Sequence, residues 1–142
     1  MLNHVAIINP RLLAALADLR HGDVVVIADA GLPAPSDERV IDLSLVAGVP
    51  SFASVAEVIL DALVVESAVV AVEGAGCEPL AGLRGRLEPA QIPHEQFKRL
   101  TETARFIVRT GEHTPFANAA LVAGVAFPTP GRRPEHKREG AP

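Results

Sequence analysis

Arg20-His21-Gly22-Asp23-Val24-Val25-Val26-Ile27-Ala28-Asp29-Ala30-Gly31-Leu32-Pro33 is the stretch on which the fold turns. Its middle, Val24 to Ala28, is a short, continuous run rich in β-branched residues and without polar alternation. That is the pattern of a strand buried on both faces. Asn9-Pro10 upstream reads as an N-cap and first helical residue. Leu12, Leu13, Leu16 and Leu19 then repeat at helical spacing, and Gly22 is the expected stop because it tolerates positive φ. Downstream, Ala30 to Pro35 reads as a loop.

The same alternation continues outward. Ser54 and Glu57 have capping-box spacing, and Phe52, Val55, Ile59 and Leu63 fit one helix face. Glu66 to Val72 reads as a second buried strand. Residues 74–93 are rich in Gly and Pro, with a weak helical signal from Leu80 to Leu87. His94 to Ala104 looks helical, with Phe97, Leu100 and Ala104 on one side. Phe106 to Val108 and Ala120 to Val122 read as strands flanking a polar loop, Arg109 to Asn118. The expectation is an α/β protein: a single domain over residues 1–127 with a central, largely parallel sheet flanked by helices. Pro128 to Pro142 hold four Pro, five basic residues counting His136, and no aliphatic residue larger than Ala. That segment reads as a disordered tail.

Composition narrows the function. The 142 residues carry 13 basic and 17 acidic side chains, a net charge of −4, with 49% hydrophobic and 21% charged residues. The balance lacks the basic stripe expected of a nucleic-acid binder. No apolar run reaches the roughly 18 residues of a membrane helix, and no signal peptide is read at the N-terminus. The single Cys forms no internal disulfide or Cys-rich zinc site and fits a reducing cytoplasm. There is no Trp and no Tyr.

Most chemical motifs are missing. Gly74-Ala75-Gly76 follows a strand as a dinucleotide fingerprint would, but Pro79 stands where the third Gly belongs, so a flexible turn is expected. The five His have no metal-ligand spacing, so no metal is expected, and neither a phosphate loop nor a Gly-x-Ser-x-Gly elbow occurs. His21 and Asp29 stand out because they bracket the central strand. In open α/β sheets ligands bind at the carboxyl ends of strands, where Asp29 lies. A carboxylate there can hold sugar hydroxyls, and imidazole as a residue type exchanges protons near neutral pH. The plainer reading is that His21 complements a helix dipole and Asp29 caps a turn. Five strand residues at about 3.3 Å each put roughly 20 Å between the two ends. The pair therefore meets only if the loops curl back or a second chain contributes.

His21-Gly22-Asp23, Asp29-Ala30-Gly31-Leu32-Pro33, Ile41-Asp42-Leu43, Gly48-Val49-Pro50-Ser51-Phe52, His94-Glu95-Gln96-Phe97-Lys98 and Arg109-Thr110-Gly111-Glu112 to Asn118 occur in that order. Together they resemble the ribose pyranase and fucose mutarotase family, in its ribose pyranase branch, from about Pro10 to Phe127. The resemblance implies a cytoplasmic sugar isomerase without cofactor, assembled as a homo-oligomer, typically a decamer of two pentamers. Its expected activity is interconversion of the pyranose and furanose rings of β-D-ribose. The alternatives are mutarotation of another sugar such as L-fucose, or sugar binding without catalysis. On the matching positions His21 is the implied catalytic proton donor, and Asp29, His94 and Phe116-Ala117-Asn118 the implied sugar-binding residues. Phe116 stands where the family usually has Tyr. Arg109 and Glu112 belong to the match as loop structure or as sugar contacts, and His113 as a solvated loop residue.

Overall fold

The computed structural model describes residues 6–125. The expected tail lies outside them. Helix α1 (Pro10–Ala17) opens as its sequence dictates: the Asn9 side chain accepts from the Leu12 amide at 3.0 Å, and Pro10 sits at the first position. It ends at Ala17, with Asp18 as its C-cap, rather than at Gly22. Gly22 instead takes φ +86° in the turn that leads into β1 (Val24–Ala28).

The sheet contains β2 (Val40–Asp42), β5 (Phe106–Arg109), β1, β6 (Ala119–Ala123), β3 (Val65–Ala71) and β4 (Ala90–Ile92), in that spatial order. β1 pairs with β5 in parallel, as do β2 with β5 and β3 with β4. β6 runs antiparallel to both β1 and β3. The sheet is thus mixed but largely parallel, with five of its six described strands pointing one way. Their C-terminal ends share one edge.

Three of the described helices cover one face. α1, α2 (Phe52–Ala62) and α3 (Ala81–Arg86) bury Leu12, Phe52, Val55, Ile59 and Leu83 against Val25, Ile27, Phe106, Val108 and Leu121. α2 is capped by Ser51, whose hydroxyl accepts from the Ser54 amide at 3.1 Å. The cap therefore lies three residues before the one read from spacing, because Ser51-x-x-Ser54 already satisfies the exposed amide. The other face is covered, among the described residues, by α4 (His94–Glu102), with Phe97 against Val26, Ile107 and Ala120. Small side chains there (Ala28, Ala71, Ala104, Ala120) let the helix approach closely. No described helix is long and apolar enough to cross a membrane.

Candidate active site

The edge formed by the C-terminal ends of the parallel strands gathers the chemistry. Asp29 follows β1, His94 opens α4 just past β4, residues 110–116 follow β5, and Ala117 and Asn118 precede β6. Between them lies a cavity of about 500 Å³, lined by Asp29, Leu32, His94, Glu112, His113 and Phe116 among others.

Asp29 is buried and held from two sides. Asn118 Nδ2 donates to Asp29 Oδ2 at 3.1 Å, the Gly31 amide donates to Oδ1 at 2.9 Å, and the Asp29 amide donates to Asn118 Oδ1 at 2.6 Å. The reciprocal pair fixes the carboxylate and also the orientation of the Asn118 amide. Asn118 and Ala117 are fully buried and stand behind the cavity wall. The two rings meet edge to face, His94 and Phe116 having centroids 4.9 Å apart at 79°. Among the described residues His94 Nδ1 is buried without a partner. A buried, unpaired N–H costs more than a bare lone pair, which favours, of the two tautomers, the one with the proton on Nε2, where the ring would offer a donor. Phe116 has φ +63°, a left-handed conformation rare for a bulky side chain and found at sites the surroundings over-determine.

The loops around the cavity are laced to each other. The Thr110 hydroxyl and amide both donate to Ala28 O, at 2.8 and 2.9 Å, and the Ala30 amide donates to Glu112 O at 2.7 Å. Gly111 has no space for a side chain, since a Cβ would lie 2.3 Å from Val49 O and 2.8 Å from Val46 O. His21 is elsewhere. It lies before β1, beside the Gly22 amide that donates to Ala123 O at the end of β6. Its side chain is 58% exposed, with Nε2 at 3.1 Å from Glu66 Oε2. The length of β1 separates it from Asp29, as the strand arithmetic requires.

The profile described as the RbsD / FucU transport protein family matches residues 2–126. The chain belongs to that family. Its relatives include the D-ribose pyranase of Streptomyces coelicolor, 50% identical over 124 residues (85% of this chain, 96% of that one). The D-ribose pyranase of Geobacillus kaustophilus is 46% identical over 126 residues (85% and 93%). Among solved structures, Bacillus subtilis RbsD complexed with D-ribose is similar at TM-score 0.78 and 44% identity, covering 85% of this chain and 96% of that one. The fucose mutarotase of Streptococcus pneumoniae in complex with L-fucose is similar at 0.72 and 25%, covering 89% and 100%.

Within this RbsD / FucU member, Glu112 and Arg109 are the residues whose place the sequence leaves open between loop structure and sugar contact, and Glu112 is the one that lines the cavity. Its Oε1 accepts from the Phe52 amide at 3.2 Å, at the start of α2, and its Oε2 from the Thr114 hydroxyl at 3.0 Å and amide at 3.3 Å. It therefore ties α2 to the cavity loop while lining the cavity. The signal in the sequence was slight: a Glu just after Thr-Gly, far from the helix it serves. Arg109 turns away to Asp42, at 3.4 Å. His113 is exposed at the cavity mouth, over Gly48.

Burial pushes the Glu112 carboxyl up, yet hydrogen bonds from the Thr114 hydroxyl and from the Thr114, Phe52 and His113 amides outweigh it and hold the group below its ordinary 4.5. A carboxyl lowered on folding stabilises the folded chain above its unfolded pKa, and that contribution is lost as pH falls through the lower folded value. Thermal unfolding from about pH 6 to about pH 3 is expected to show the native protein losing stability below roughly pH 4.5. Glu112→Gln should start less stable and lose less over the same interval. Parallel curves would contradict the role of this carboxylate.

Proposed function

We propose that the chain is a D-ribose pyranase, interconverting the pyranose and furanose forms of β-D-ribose by acid/base-assisted ring opening. The observation that carries the reading is the cavity itself. A fixed carboxylate (Asp29), an imidazole (His94) and an apolar ring (Phe116) face one space large enough for a monosaccharide, in a chain 50% identical to one D-ribose pyranase and 46% to another. In the ring-opening step the anomeric hydroxyl gives up its proton to water as the C1 carbonyl forms, and the C1–O5 bond breaks as O5 takes a proton. Attack of the C4 hydroxyl on C1 then closes the furanose, with the reverse proton movements. The sequence is redox-neutral. Asp29 holds sugar hydroxyls through charge-assisted hydrogen bonds, His94 donates through Nε2, and Phe116 stacks on the ring. Ala117 and Asn118 support them from behind.

His21 is assigned the proton transfer to the ring oxygen, and it reaches the sugar from a second copy of the chain. Two observations support assembly as a homo-oligomer, which we take to be a decamer of two pentamers working in the cytoplasm. One is the strand length between His21 and Asp29. The other is the exposed apolar turn at Leu45, Val46 and Val49, which are 77%, 60% and 48% exposed. Phe116, without a phenolic hydroxyl, favours one second reading: mutarotation of another sugar such as L-fucose.

Saturation-transfer NMR on equilibrated D-ribose is expected to show faster exchange between pyranose and furanose signals when the protein is added. The same measurement over a small sugar panel, L-fucose included, ranks the two readings. Unchanged ribose exchange with accelerated fucose exchange would replace the first by the second. A stable monomer on size exclusion would overturn the shared site.

A further inference from the structure

We propose that Glu73 and Gly74, which no part of the mechanism above uses, are the positioning pair of the sugar site. The inference rests on the functional reading, in that the site they position is the proposed ribose site. Both residues lie in the 3-10 turn Val72–Gly74 that follows β3. Neither lines the cavity, but each fixes one of its two rings.

Glu73 acts on His94. Its Oε2 accepts from the His94 amide at 2.8 Å. α4 begins at His94, and Pro93 before it supplies no side-chain cap. The exposed N-terminal amide is therefore satisfied from another element, by a carboxylate that also complements the helix dipole. Gly74 acts on Phe116. It is buried, and a Cβ on it would stand 2.3 Å from Phe116 O, 2.6 Å from Phe116 Cβ and 2.9 Å from the carbonyl carbon. Most of those atoms are backbone, so nothing there can swing aside. The left-handed Phe116 rests directly on Gly74. Consecutive residues thus set the two members of the 4.9 Å edge-to-face pair, and a displacement of either would part the rings. Gly76 provides the contrast, because a Cβ there would meet nothing within 4 Å. The two glycines that look alike in Gly74-Ala75-Gly76 do different things. The turn, expected to be flexible, is a packed support.

The test uses the full-length protein with D-ribose as probe. Gly74→Ala is expected to lower kcat/KM for ring exchange about 10²-fold, the scale of an ångström-sized misplacement. Gly76→Ala should leave it unchanged. Glu73→Ala should raise KM about two- to fivefold with kcat little altered, the scale of one helix-terminal charge, and Glu73→Gln should recover part of this because its carbonyl oxygen can still accept from the amide. The second readout needs no sugar: the cross-relaxation between the His94 and Phe116 ring protons should weaken in both Gly74→Ala and Glu73→Ala. A native ring contact together with unchanged KM in Glu73→Ala would overturn the proposal, whether or not Gly74→Ala folds. If the native protein leaves ribose exchange unchanged, the functional reading fails, while the ring contact still decides the positioning.

Discussion

His21→Ala is expected to slow ribose ring exchange by about 10²–10⁴-fold, the range for removing one placed proton donor. Binding of D-ribose to the Asp29 cavity should fall far less, and the fold should hold. The side chain is more than half exposed, and its contact is an exposed pair with Glu66, of a kind that contributes little to stability. The sharper result comes from mixing. His21 and Asp29 stand at opposite ends of β1, so the proposed site takes one from each of two copies. His21→Ala and Asp29→Asn proteins, each inactive alone, are expected to regain activity when unfolded and refolded together. At equal amounts about a quarter of the sites would combine an intact His21 with an intact Asp29. A mixture no more active than its parts would place both residues within one chain and sink the shared site. Full activity in His21→Ala would remove this imidazole from the chemistry.

Asn118→Asp should produce the largest loss of stability at the site. Asn118 is fully buried and donates to Asp29, itself buried, at 3.1 Å. The substitution preserves shape and replaces a donor with a second carboxylate. Two carboxylates that close do not both ionise, so the pair must take up a proton or separate. The expected cost near pH 7 is about 3–5 kcal/mol, that of leaving a buried charge uncompensated. A pair whose proton affinity rises on folding is penalised at high pH and relieved as pH falls. The deficit relative to the native protein should therefore shrink between about pH 7 and about pH 5 in urea unfolding. Asn118→Ala should show a deficit that changes little over that interval. Ribose exchange should fall about 10²-fold in Asn118→Asp, because Asp29 loses its orientation. A deficit independent of pH would mean that the two side chains do not act as one unit.

What the sequence made legible follows from how local each signal is. The four strands read from apolar runs, β1, β3, β5 and β6, are the interior ones, and burial on both faces writes itself into composition, although β3, read as buried throughout, is exposed at Glu66 and Ser67 and ends at Ala71. β2 and β4 escaped because they are three-residue edge strands in which only Ile41 is buried, too short for any period to appear. The separation of His21 from Asp29 could be read from the strand length alone. The grouping of Asp29, His94, Phe116 and Asn118 was implied by the family resemblance alone, and the structure brings these residues together where the parallel strands end at one edge. Glu112 and Gly74 were illegible for a common reason. Each is defined by a contact with a residue distant in sequence, Phe52 in one case and Phe116 in the other, and no window along the chain contains both partners.

The uneven cladding of the sheet has a consequence for motion. Three described helices share one face, whereas α4 covers the other and carries His94 at its first position. Detaching α4 would uncover Val26, Ile107 and Ala120 and dismantle the cavity proposed to hold the sugar in the same event. Integrity of the site and protection of that face are therefore one cooperative unit, and a bound sugar would act as a latch on sub-global opening.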